Sequence, residues 1–214
     1  MIWEKEIMSL LVLVPSELEA SFIRDLPLDL KIIGIGPVDA ALSAYETFLK
    51  RKPGLAFLTG FAGAYPKSDL EVGDVVVATC EKFVDFGRKY ETHLTPLPEN
   101  IPAWDYCPLT HVFTEKLIYL LELNGFNPQG GPLATVCAAS YDPQRARFIE
   151  ERFQVLAENM EGFGVGRAAR RTKVFLLEVR VISNLLSEPE KEWDLEKAGK
   201  RLREVWECIL KEWK

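Results

Sequence analysis

Histidine is nearly missing from this chain. His93 and His111 are the only two, too far apart in sequence to form a helical pair of ligands. The four cysteines, Cys80, Cys107, Cys137 and Cys208, are scattered without the close pairs that hold zinc. No resident metal is expected, and unpaired thiols fit a cytoplasmic protein. Basic residues are in deficit: 26 Lys and Arg stand against 32 Asp and Glu, a net charge of −6. That leaves no basic face for tracking phosphates, so no nucleic-acid partner is expected. The apolar run from Ile7 to Val14 falls far short of the roughly 20 residues that a membrane helix needs, which removes the membrane as a partner. Gly34-Ile35-Gly36-Pro37 carries half of a dinucleotide fingerprint, but Asp39-Ala40 follows where the third glycine belongs, so no nucleotide cofactor is expected. Repeats and linkers are also lacking, and one domain over 1–214 is expected.

What is present is a chain whose residues are 48% hydrophobic, enough for a sizeable core. Apolar runs at Ile7–Val14, Lys31–Ile35, Leu55–Thr59, Asp74–Ala78, Leu133–Cys137, Val155–Glu158 and Val174–Ser183 read as strands. Helical patterns alternate with them at Glu17–Arg24, Pro37–Lys50, Thr114–Asn124, Pro143–Arg152, Glu161–Arg171 and Lys191–Lys214. Continuous Val, Ile and Leu runs between helices predict an α/β fold with both faces of the sheet covered. Gly34–Gly36 is a tight strand-to-helix turn, with Pro37 in the first helical turn. Asp74 belongs to a turn feeding a strand. The proline-rich segment Phe86–Pro108 is predicted as a long loop.

Two of the apolar runs end in polar side chains, at Glu158-Asn159-Met160-Glu161-Gly162 and at Val179-Arg180-Val181-Ile182-Ser183-Asn184. Strand ends in α/β proteins line the ligand crevice, and a carboxylate with an amide there suits a small polar molecule such as a nucleoside. Thr59-Gly60-Phe61-Ala62-Gly63-Ala64-Tyr65 adds small residues whose backbone N–H groups a ligand can approach, at Ala62 and Gly63 above all.

Taken in order, Gly34–Pro37, Gly60–Gly63, Leu70–Val77, Met160–Gly162 and Ser183–Asn184 resemble the nucleoside phosphorylase and hydrolase superfamily, most closely its methylthioadenosine/S-adenosylhomocysteine nucleosidase branch. Within it, Glu158–Gly162, Ile182–Asn184 and Trp193-Asp194 are similar to the futalosine hydrolases. The resemblance spans almost the whole chain. It implies a three-layer α/β/α fold around a mixed, partly barrel-like sheet, and subunits paired around their active sites. It also implies hydrolysis of the N-glycosidic bond of futalosine, with release of hypoxanthine, in menaquinone biosynthesis. A purine nucleosidase or phosphorylase of other specificity, or a silent nucleoside-binding protein, are the alternatives.

On that resemblance Glu161, at a helix start, accepts protons from the two adjacent ribose hydroxyls, and Met160 lies against the sugar unless it is core filler. Glu19 takes the proton of the attacking water, with Glu17 as its competitor. Asn184 stands where the nucleosidase branch has aspartate. Its N–H2 serves the O6 of a 6-oxopurine and its oxygen accepts from a protonated N7, beside Ser183. The competing role for Asn184 is a strand-end turn. Trp193 closes over the base; Trp206 and Trp213 are core or interface. The glycine segments Gly34–Asp39 and Thr59–Tyr65 hold no arginine to clamp phosphate, which favours water as the nucleophile. Arg24 is near enough in sequence to reach a ligand, whereas Arg167, Arg170 and Arg171 form a solvated helix end. The segment Phe83–Tyr90 offers aromatic walls and a cation for the 5′ substituent, or else an interface. Two departures stand out: Phe61 replaces a small polar residue, and Cys137–Tyr141 replaces a more polar base-bordering loop, with Cys137 read as packing.

Overall fold

The computed structural model describes residues 10–90, 94–101 and 103–213. The expected first strand up to Ser9, His93, Pro102 of the long loop and the last helical residue Lys214 lie outside the described residues. The elements run β1 (Leu11–Val14), α1 (Glu17–Ser21), β2 (Asp29–Ile32), α2 (Pro37–Arg51), β3 (Leu55–Ala64), β4 (Val75–Phe83), β5 (Arg88–Lys89), β6 (Leu94–Thr95), β7 (Tyr106–Pro108), α3 (Val112–Leu123), β8 (Gln129–Thr135), α4 (Pro143–Phe153), β9 (Ala157–Asn159), α5 (Gly162–Thr172), β10 (Phe175–Leu185) and α6 (Leu195–Glu212).

The main sheet runs β10-β4-β8-β9-β3-β1-β2, and a further pairing of β10 with β3 closes its first five strands on themselves. The result is the mixed, partly barrel-like sheet expected from the resemblance, with β4 antiparallel to β10 and β9 antiparallel to β3. Closure leaves these strands no free edge, and β1 and β2 extend the sheet from β3 in parallel. Helices cover it on both sides. Ala40, Ala44 and Phe48 of α2 pack with Phe163, Val165, Ala168 and Ala169 of α5 over one face. Leu117 and Leu121 of α3 pack with Leu202, Val205, Trp206 and Ile209 of α6 over the other. Trp206 is fully buried, edge-on to Phe57 at 5.2 Å between ring centroids, and its indole N–H donates to the Thr59 hydroxyl at 3.2 Å, so a polar tip that would be costly in the core is satisfied. Trp213 meets Phe57 from a second side at 5.4 Å.

Several expected boundaries move, each for a local reason. β3 does not stop at Thr59 but carries Gly60–Ala64 in the ladder, because β10 pairs with it along its whole length. The glycine segment is therefore strand rather than loop. β10 likewise runs on past Ser183 to Leu185, with a register shift between Ile182 and Asn184. The proline-rich segment is not all loop: β7 pairs antiparallel with β4 and buries Cys107 opposite Glu81. Asp74 accepts from the Glu71 N–H at 2.8 Å and forms the expected turn. Among the described residues no helix is long and apolar enough to cross a membrane.

Candidate active site

One cavity of about 290 Å³ opens at the ends of β3, β9 and β10, lined on different sides by Glu19, Glu161 and Asn184. Ala62, Gly63, Met160, Ser183 and Trp193 line it as well.

Glu19 reaches the cavity through a short capping arrangement. Ser16 caps α1, its hydroxyl accepting from the Glu19 N–H at 3.3 Å and donating to the Glu19 carboxylate at 2.5 Å. The other carboxylate oxygen accepts from the Phe61 N–H on β3 at 3.0 Å. Gly60 permits this approach, since a Cβ there would stand 2.3 Å from that same oxygen. Burial pushes the Glu19 carboxyl above the usual carboxylate range, while Ser16, Arg180 and the Phe61 N–H pull it back. Glu17, its competitor, is instead exposed and paired with Arg24 on the surface, and neither of those two lines the cavity.

Glu161 occupies the N-cap position of α5 at the end of β9. One oxygen accepts from the Gly36 N–H at 3.1 Å and the other from Arg180 Nη1 at 3.2 Å. Gly36 itself sits at φ 92, in the turn before α2, a backbone state that glycine adopts without strain. The Gly34–Gly36 turn is thus a support for Glu161 across 125 positions of sequence. Each carboxylate oxygen thus has one donor and can accept another.

Asn184 lies on Gly63, whose Cβ would meet the amide nitrogen at 3.1 Å. The Ser183 hydroxyl donates to Asn184 Oδ1 at 2.9 Å, which orients the amide and leaves its N–H2 as the free donor. The segment after β10 folds back here: the Asp194 N–H donates to the Ser183 carbonyl at 2.9 Å, and Asp194 caps α6 through the Lys197 N–H. Trp193, 53% exposed, is held at the rim by this loop. On the facing side, Ser140 is pinned to buried Glu158 by its N–H at 2.7 Å and its hydroxyl at 2.8 Å, and the Tyr65 hydroxyl donates to the same carboxylate at 2.8 Å. This holds Val136, Ala139 and Tyr141 along the cavity wall.

Three expectations need correction. Cys137 is exposed rather than packed, because its N–H is drawn outward to Asp85 at 2.8 Å. Phe83–Tyr90 does not line the cavity: Phe83 stacks on Phe163 at 5.3 Å and Phe86 on Phe83 at 5.9 Å, while Phe86 and Tyr90 stay exposed, which leaves the interface alternative standing. The apolar walls come instead from Leu18, Ile35, Met160 and Trp193. Finally, Arg167 is not simply solvated but stacks over Trp104 at 4.5 Å.

The residue that sequence reasoning missed is Arg180. It alternates with Glu178 inside an otherwise apolar run, a spacing that reads as a solvent-facing edge, so no local signal marked it as buried and partnered. Its side chain is 1% exposed, bonded to Glu178 at 2.9 Å, to Glu161 at 3.2 Å and to the Asn159 side-chain oxygen at 3.3 Å. The surrounding carboxylates hold it fully charged. Breaking such a buried pair typically costs about 3–5 kcal/mol, because the remaining charge is stranded. Arg180 does not line the cavity; it stands behind Glu161, which it bonds, and near Glu19, whose charge it favours.

Comparison with known proteins agrees with this architecture. A futalosine hydrolase from Acidothermus cellulolyticus is 28% identical over 187 residues, covering 86% of this chain and 76% of its own length. A 5′-methylthioadenosine/S-adenosylhomocysteine nucleosidase from Bacillus subtilis is 29% identical over 71% of this chain, which spans 65% of that relative's length. The solved native structure of Helicobacter pylori futalosine hydrolase superposes with a TM-score of 0.82 at 19% identity, covering 95% of this chain and 97% of that one. These relatives are named as N-glycosyl hydrolases. The family model described as Phosphorylase superfamily matches residues 30–211, and the chain belongs to that superfamily.

Proposed function

We propose that this protein hydrolyses the N-glycosidic bond of futalosine, releasing hypoxanthine, as a step of menaquinone biosynthesis. The observation that carries this reading is the convergence of Glu19, Glu161 and Asn184 on one cavity whose single lining cation among the described residues is Lys191, in an exposed pair with Glu188 at 2.7 Å. A phosphate co-substrate would find one solvent-exposed lysine there and several carboxylates facing it. Arg180 approaches the glycine strand, 3.4 Å from the Phe61 carbonyl, yet its charge is neutralised by Glu178 and Glu161. Water is the nucleophile that such a site admits.

Glu161 grips the ribose hydroxyls, with Met160 against the sugar face. Glu19 accepts the proton of the attacking water as the C–N bond opens toward an oxocarbenium-like sugar. Its upward-shifted pKa brings it nearer to a working pH, where a general base is most effective. Asn184 turns its amide to the purine edge, where its N–H2 donates to the O6 of a 6-oxopurine and its oxygen, which also accepts from Ser183, accepts from a protonated N7. An adenine presents a donor at the same place, and a buried mismatch of this kind costs about 1–3 kcal/mol. Having no carboxylic proton, Asn184 stabilises the leaving base by hydrogen bonding, and the proton arrives through water. At least a dimer is part of this proposal: Val38, Leu42, Tyr45 and Leu49 form an exposed apolar stripe along α2, continuous with cavity-lining Ile35.

The test is chromatographic. Futalosine incubated with the protein in phosphate-free buffer is expected to give hypoxanthine at a rate that added phosphate leaves unchanged. Strict dependence on phosphate would convert the reading to a phosphorylase, and equal turnover of methylthioadenosine would remove the base assignment.

A further inference from the structure

Beneath the sugar end of the cavity lie two carboxyls that the hydrolytic steps leave unused. Glu81 on β4 and Glu178 on β10 are both fully buried. Oε1 of Glu81 and Oε2 of Glu178 converge on one point, 2.2 and 2.7 Å from where a Gly162 Cβ would stand. The absence of a side chain at Gly162 is what makes room for both.

Their remaining contacts differ in charge. Glu178 Oε1 accepts from the Arg180 guanidinium at 2.9 Å. Glu81 accepts only from neutral donors, the Thr135 hydroxyl at 2.6 Å and the Asn159 amide at 2.7 Å. Glu178 Oε2 is buried with no donor assigned to it, although Glu81 lies within hydrogen-bonding reach of Glu178. Two ionised carboxylates meeting out of water, with one guanidinium between them and Glu161, repel each other strongly. Burial moves both carboxyls upward, Glu81 well above its usual range.

We propose that Glu81 and Glu178 share one proton, carried by Glu81 and donated to Glu178 Oε2, and that this pair is the positioning element holding Arg180 and Asn159 rigid behind Glu161. Two arms run from the pair to the sugar-gripping acid. Anionic Glu178 fixes Arg180 by Nε, so that Nη1 faces Glu161 and Nη2 faces Asn159 Oδ1. Glu81 fixes the Asn159 amide nitrogen, so that Asn159 Oδ1 accepts from the Glu161 and Gly162 N–H groups at 2.9 and 2.7 Å. Loss of the proton sets a second negative charge beside the guanidinium and draws it away from Glu161. The charged and titratable groups facing the pair are Arg180 on β10, Glu161 at the head of α5, Glu19 on α1 through Arg180, and Cys107 on β7 opposite Glu81, with Arg167 and Arg170 of α5 beyond it. Arg180 is the cation bonded to the pair.

The catalytic half of this proposal rests on the hydrolase reading; the shared proton does not. Infrared spectra of carbon-13 glutamate-labelled protein at neutral pH are expected to show a protonated carboxyl band that Glu81→Gln removes. In Glu81→Gln the nitrogen that replaces Oε1 donates to Glu178 Oε2 as the neutral acid does but no longer accepts from the Asn159 amide, so kcat is expected to fall, by less than in Glu178→Gln. Glu178→Gln removes the counterion of Arg180 and is expected to lower kcat about 10-fold or more, with a smaller change in KM. A raised folded-state pKa contributes stability at acid pH that fades as pH rises through it. The Tm of Glu81→Gln relative to the unmodified protein is therefore expected to increase as pH rises above the ordinary glutamate range. A band unchanged by Glu81→Gln, or Glu81→Gln as damaging as Glu178→Gln, would overturn the proposal. Failure of the hydrolase reading shows separately, as no base release by the unmodified protein.

Discussion

Glu161→Gln is expected to reduce kcat for base release by roughly 10²-fold or more, and Glu19→Gln by a similar factor, but the two losses have different signatures. Glu161→Gln leaves one acceptor in place of two and takes away the negative charge facing Arg180, which is 1% exposed and bonded to Glu161 at 3.2 Å. Sugar binding and fold stability both suffer, so a rise in KM and a lowered Tm accompany the loss of kcat. In Glu19→Gln the side-chain oxygen still accepts from the Phe61 N–H, and Ser16 still caps α1, so folding is spared while the proton acceptor is gone. The pH profile separates the two acids further. Glu19 must be ionised to take a proton, and burial raises its pKa, so kcat of the unmodified protein falls with decreasing pH at a value above that of an ordinary glutamate. Glu161→Gln keeps this acid limb at reduced height. Glu19→Gln abolishes it, and steady-state kinetics across pH reads the difference directly.

The second large effect concerns the base. Asn184→Asp replaces a fixed N–H2 donor by a carboxyl that can accept from a 6-amino group and, when protonated, donate to N7. Preference is expected to move from hypoxanthine-bearing toward adenine-bearing nucleosides. The ratio of kcat/KM values is expected to change by roughly 10-fold or more, in keeping with one buried hydrogen-bond mismatch. The Ser183 hydroxyl, at 2.9 Å from the Asn184 oxygen, and Gly63 beneath the amide keep the replaced side chain in the same place, so the comparison isolates chemistry from position. Unchanged discrimination in competition assays between paired 6-oxo and 6-amino nucleosides would show that Asn184 does not face the base.

Much of this was legible in sequence because local rules were obeyed. Continuous apolar runs announced strands buried on both faces, and Gly34–Gly36 with Pro37 announced the turn into α2. Polar residues ending two such runs pointed to the crevice. What stayed hidden was long-range. No periodicity reveals that β10 pairs with both β3 and β4 to close a barrel, and that closure is why Gly60–Ala64 is strand rather than loop. Nor does spacing reveal that Gly36, 125 positions from Glu161, donates its N–H to it. Arg180 and Glu178 alternate within an apolar strand, a pattern that ordinarily marks a solvent-facing edge. Only the fold shows that both are buried and answered by Glu81, Asn159 and Glu161. The Phe83–Tyr90 segment does not wall the cavity because the stack of Phe83 on Phe163 anchors its first residue elsewhere, while Phe86 and Tyr90 stay exposed.

The central claim, that two acids and one amide surround a single nucleoside, is tested most directly by a crystal structure of Glu19→Gln soaked with futalosine. The expected result has both ribose hydroxyls on the Glu161 carboxylate, the O6 and N7 edge on the Asn184 amide, and the substituted amide at position 19 facing the anomeric carbon. A purine turned away from Asn184, or a sugar out of reach of Glu161, would contradict it.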